Sequence, residues 1–263
     1  MFASLALLVI IAGGYFALEA YPASSASAAI RSGGIVLRFI EDFIGPSPYV
    51  PFWTMLGAAV YSFIGVIFIY YFFEKTQSPE ILFIGLFVVS LSFEFTRIMI
   101  PLKQVLVFSS LYLVTLSRVL LFGRYFGLFS LFAASVYAAG LDAQKQQNGF
   151  FVVVLAALII ALRVPIDSLV WDSSLKMLNG YGSMFAIVEA GILVVTVITF
   201  VISAYTRSSR SYLLIALGTF LVYSGRNILI SSDTWITLVP GLLLLAASTW
   251  FVCERLHREY LWI

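Results

Sequence analysis

Charge is what this chain has least of. Of its 263 residues, 11% are charged and 62% are hydrophobic. Soluble domains carry about 25% charged residues, so lipid must solvate much of this apolar surface. A lone cysteine, Cys253, excludes an internal disulfide. With a single histidine, His257, it also excludes the usual zinc sites, and no cofactor is expected. The formal net charge of +2 is too small to point to nucleic acid. No H-E-x-x-H, C-x-x-C, P-loop or G-x-S-x-G occurs. Lysine is missing from every long apolar run, since Lys75, Lys103, Lys145 and Lys176 all fall in connections. A retinal Schiff base needs a buried lysine, so a light-driven pump or photoreceptor is excluded on this assignment.

What the chain has is long apolar runs without alternation. That pattern excludes a barrel and leaves helices, the other structure that satisfies the backbone in lipid. The expected fold is all-α, a polytopic transmembrane helix bundle. Residues 2–20 form the first run, followed by spans at 52–73, 80–100, 104–122, 124–141, 149–166, 183–205, 212–230 and 235–253. That makes about nine, or eight if residues 1–28 are a cleaved signal peptide. The missing Lys or Arg before the first run argues for a retained helix. Residues 29–51 read as an interfacial amphipathic segment and a proline-rich connector, in which three prolines forbid helix from 45 to 51. Residues 52–253 are the bundle and 254–263 a short cytoplasmic tail. The weakest boundary is Gly123, which must turn the chain almost without a loop. If 104–141 is instead one helix, the count falls and every later side assignment inverts. Gly123 and Gly127 also match the small-xxx-small packing pattern.

With nine spans, eight Lys and Arg (Arg31, Arg38, Lys103, Lys145, Arg207, Arg210, Arg255 and Arg258) share one side. Lys75, Arg124 and Lys176 share the other. The positive-inside rule then predicts a plasma (inner) membrane protein with its N-terminus outside and its C-terminus in the cytoplasm.

Ionisable groups inside the spans are costly and normally find partners. Alternating helix direction predicts that Arg118, Arg163, Glu189 and Arg226 lie at one depth near the outer face. Thr219, Tyr223 and Arg226, spaced i, i+4, i+7, share a helix face. One Glu cannot neutralise three Arg, and a guanidinium excess invites an anion. The expected ligand-binding set is therefore Arg118, Arg163, Glu189, Thr219, Tyr223 and Arg226, with Glu189 paired to Arg226. Arginines near span ends also reach headgroups by snorkelling, above all Arg163 beside Pro165. Glu94 and Arg97, spaced i, i+3, are expected at the opposite, cytoplasmic end as a structural or gating pair. Asp142 and Arg207 are expected to approach that pair from neighbouring helix ends.

By elimination these features point to a membrane receptor, sensor or accessory subunit. Its outward Arg/Glu pocket would take an anionic small molecule or lipid headgroup, and it would act through a membrane-protein partner. The alternatives are a small transporter or permease component for an anionic solute, and a membrane enzyme acting on lipid. The missing catalytic motifs argue against the enzyme.

Overall fold

The computed structural model describes residues 45, 47, 49–73, 78–99, 110–171, 175 and 177–261. The first apolar run and the interfacial segment expected at 29–44 lie outside the described residues. The helices are α1 (Val50–Phe73), α2 (Pro79–Ser90), α3 (Ser110–Ala138), α4 (Gln146–Arg163), α5 (Gly182–Thr206), α6 (Ser211–Ile230) and α7 (Trp235–Leu261). A 3-10 segment, Leu91–Ile98, continues α2. Two short antiparallel strands, β1 (Ile166–Trp171) and β2 (Met177–Asn179), form a hairpin between α4 and α5. Among the described residues, seven helices are long and apolar enough to cross a membrane.

Of the eight spans expected within residues 52–253, two are one, because the turn expected at Gly123 does not exist. Helix α3 runs unbroken from Ser110 to Ala138. Its glycines serve close packing instead of a turn: a Cβ on Gly123 would overlap Phe93, and one on Gly127 would overlap Ser90. The 29-residue helix is about 43 Å long, so it tilts or projects beyond a hydrocarbon layer of about 30 Å. The proline-rich connector is also shorter than expected. Helix α1 starts at Val50 with Pro51 in its first turn, where the missing N–H has no partner to lose. At the other terminus, the segment read as a tail is helical, because α7 extends to Leu261.

Local chemistry sets the remaining boundaries. Ser78 caps α2 by accepting from the Ile81 N–H at 3.2 Å, with Pro79 and Glu80 in the first turn. The 3-10 segment is poor in strong helix formers. Ser90 just before it, and Ser92 and Thr96 within it, donate to carbonyls three residues back. Helix α2 with its 3-10 extension spans about 34 Å, enough to cross.

Helices α2, α3 and α6 hold the core, with Phe83, Phe87, Leu91, Tyr125, Leu128, Ile215 and Leu229 almost fully buried. Helices α6 and α7 approach closely at Gly225 and Gly241, where an added Cβ would meet the backbones of Leu245 and Leu229. Contacts between helix ends define two ends of the bundle. At one, the Tyr260 hydroxyl reaches both oxygens of fully buried Glu80 at 2.8 and 2.7 Å, and Ser209 reaches Glu259 at 2.9 Å. At the other, the Ser47 N–H donates to the Asp233 carbonyl at 3.0 Å.

Candidate functional site

Losing one crossing rearranges the polar residues. Glu94 and Arg97 do not sit at the opposite end from Glu189 and Arg226. All four come to one end, and Arg124 joins them.

The 3-10 geometry makes this possible. With three residues per turn, positions i and i+3 eclipse, so Leu91, Glu94 and Arg97 fall on one buried face. Helix α3 lies against that face, with Gly123 on Phe93 and the next residue, Arg124, opposite Glu94. Arg124 grips Glu94 in bidentate fashion, Nε to Oε1 at 2.7 Å and Nη2 to Oε2 at 2.9 Å. Arg97 Nη1 meets the same carboxylate at 3.3 Å and the Ile230 carbonyl, at the end of α6, at 3.5 Å. Glu94 and Arg97 are almost fully buried.

Helix α6 adds Arg226, whose Nη2 donates to the Arg124 carbonyl at 3.2 Å. Its guanidinium also lies 5.5 Å from the centre of the Tyr223 ring, within cation–π range. The Tyr223 hydroxyl donates to Glu189 Oε2 on α5 at 3.0 Å, and Tyr125 of α3 bonds the same carboxylate. Glu189 thus meets α6 through Tyr223. The direct ion pair expected with Arg226 is not among the salt bridges of the described residues. Asp233, just beyond α6, is within electrostatic reach of Arg97. The network therefore sets Arg97, Arg124 and Arg226 against Glu94, Glu189 and Asp233. The guanidinium excess expected from the sequence does not arise, because it left out Glu94 and Asp233 and included two arginines that lie elsewhere.

Those two are Arg118 and Arg163, which are exposed on α3 and at the end of α4. Thr219 is buried, but its hydroxyl is spent on the Ile215 carbonyl of its own helix at 2.8 Å. Asp142 pairs with Lys145 at 3.3 Å and Arg207 donates to the Tyr212 hydroxyl at 2.8 Å, so neither joins Glu94. The site residues missed by the sequence reading are Arg124, Tyr125 and Asp233. A turn at Gly123 would keep Arg124 out of a helix interior, and the Gly123/Gly127 spacing is the signal that a packed, continuous helix carries it.

Two apolar cavities lie away from this network. One of about 200 Å³ between α1 and α7 is lined by Tyr61, Phe68, Thr249, Trp250 and Cys253. Another of about 300 Å³ between α3 and α5 is lined by Phe129, Phe132, Val188 and Ile192. No protein-family model matches the chain, and no curated protein matches it in sequence.

Proposed function

We propose that this chain is a membrane receptor or accessory subunit that senses an anionic group at the Glu94–Arg97–Arg124–Arg226–Glu189 network and passes the change to a membrane-protein partner. One observation carries the reading. Four chain segments contribute a hydrogen-bonded ion network at one end of the bundle, with Glu94, Arg97 and Arg226 buried and Arg124 and Glu189 partly so, and Arg97 within it keeps two buried guanidinium nitrogens without a hydrogen-bond partner. Ionisable groups at membrane depth are expensive to keep, and this network links the elements that would have to move. Helix α5 packs on α3 and α6 through apolar side chains and meets the network through the tyrosine contacts to Glu189, a joint that can break without unpairing Glu94.

The network end is the outward one in this reading. Among the described residues outside the network and near helix ends, Lys145, Arg207, Arg210, Arg255 and Arg258 gather at the opposite end, and Arg163 stands at the network end. The positive-inside rule puts the richer end in the cytoplasm.

The test uses the full chain in phosphatidylcholine nanodiscs, with thermal unfolding followed against a panel of carboxylates and phosphates at matched ionic strength. At least one anion should raise the transition temperature, and Arg226→Gln and Glu189→Gln should change that response. If both variants only lower stability and no anion shifts the wild type, the network is structural and the sensing reading fails.

A further inference from the structure

Arg97 spends one of its three nitrogens. Nη1 serves both Glu94 and the Ile230 carbonyl, while Nε and Nη2 are buried without a hydrogen-bond partner. These two nitrogens are not scattered donors. In a planar guanidinium they form one edge, whose parallel N–H bonds match the two oxygens of a planar oxyanion. The bundle holds its own example of what this edge does, since Arg124 grips the Glu94 carboxylate through its Nε and Nη2. A buried N–H left without an acceptor has given up its water for nothing, so this edge is an unmet demand for an acceptor.

We propose that the Nε/Nη2 edge of Arg97 receives the carboxylate of a ligand with a hydrocarbon body. This rests on the network being an anion-sensing site and narrows it to one ligand class and one atom pair. The surroundings choose the class. Phe95, Ile98 and Met99, next to Arg97 on its own segment, belong to an apolar cluster with Phe52, Met55 and Leu175. An apolar body finds partners there. Glu94 and Asp233 on the polar side oppose a second negative charge, which favours a monocarboxylate over a phosphate dianion. Access is short: Arg97 is one residue from the end of the 3-10 segment and touches the last residue of α6. Binding would satisfy the idle edge and load the segment that carries Glu94.

The experiment titrates the full chain in phosphatidylcholine nanodiscs with decanoate, decanol, decyl phosphate and acetate, following binding by calorimetry and the shift in unfolding temperature. Decanoate should bind and stabilise, and decanol should not. Arg97→Lys keeps the charge but lacks the fork, and it should weaken decanoate by about tenfold or more. Arg118→Lys, on the exposed face of α3, should bind as wild type does. Acetate binding that depends on Arg97 would support the carboxylate edge with a soluble source, and decanoate binding alone would support a membrane source. Equal binding of decanol and decanoate overturns the proposal and needs only the wild-type chain. Unchanged decanoate affinity in Arg97→Lys overturns it too. Stronger, Arg97-dependent binding of decyl phosphate rejects the carboxylate but leaves anion sensing standing, whereas silence from every anion rejects both.

Discussion

Glu94 shows how much a single buried carboxylate can organise. It accepts two hydrogen bonds from Arg124 and one from Arg97, so neutralising it leaves two guanidiniums facing an amide in a water-poor interior. Breaking a buried pair on one side costs about 3–5 kcal/mol. Glu94→Gln should therefore lower stability by about that amount in reversible unfolding in detergent. Arg118→Gln and Arg163→Gln, both exposed, should stay within about 0.5 kcal/mol of wild type. Equal losses at all three positions would dissolve the distinction between network and surface arginines. At the opposite end, Tyr260→Phe removes the hydroxyl that bonds both oxygens of fully buried Glu80. Hydrogen bonds to charged groups are worth about 1.5–3 kcal/mol, and the loss should appear in the same assay, without altering any anion response at the Arg97 end.

Glycine placement decides how the elements meet. An added Cβ on Gly225 would press on the Leu245 backbone, whereas one on Gly191 would meet nothing within 4 Å. Gly225→Ala should cost about 1–3 kcal/mol through overpacking. Gly191→Ala should be neutral or stabilising, by up to about 1 kcal/mol, because alanine restrains the unfolded chain and favours helix. Thermal unfolding of the two variants side by side checks this. The same residues mark the boundary of what the sequence could tell. Composition and run length dictate a bundle of membrane-length helices, and they do so without reference to packing. The i, i+3 spacing likewise brings Glu94 to Arg97 within one segment. The partnership of Glu94 with Arg124 is different, because it depends on whether the chain turns or continues at Gly123. Glycine chemistry permits either, and Phe93 packed against the bare Cα decides for the helix. The network's charge balance is illegible for the same reason, since Asp233 meets Arg97, and Glu94 meets Arg124, only when the crossings are counted correctly.

At the scale of the whole molecule, the continuity of α3 fixes which connections share a side. With a single crossing between Ser110 and Ala138, the start of α1 and the α6–α7 connection lie together, as the contact from Ser47 to Asp233 requires. The α3–α4 and α5–α6 connections then lie on the other side. A turn at Gly123 would instead put the start of α1 beside the α3–α4 connection. Single cysteines at Tyr49, Asp142, Arg210 and Ser231, all exposed positions, separate the two arrangements in a Cys253→Ser background. A membrane-impermeant maleimide added to sealed vesicles should modify Tyr49→Cys and Ser231→Cys from the same face. It should modify Asp142→Cys and Arg210→Cys only from the other. Because the comparison is between residues within 49–231, its outcome does not depend on how residues 1–44 are arranged. Labelling of Tyr49→Cys and Asp142→Cys from one face would restore the turn at Gly123. It would also carry Arg124 away from Glu94, and with it the ion network on which the sensing reading stands.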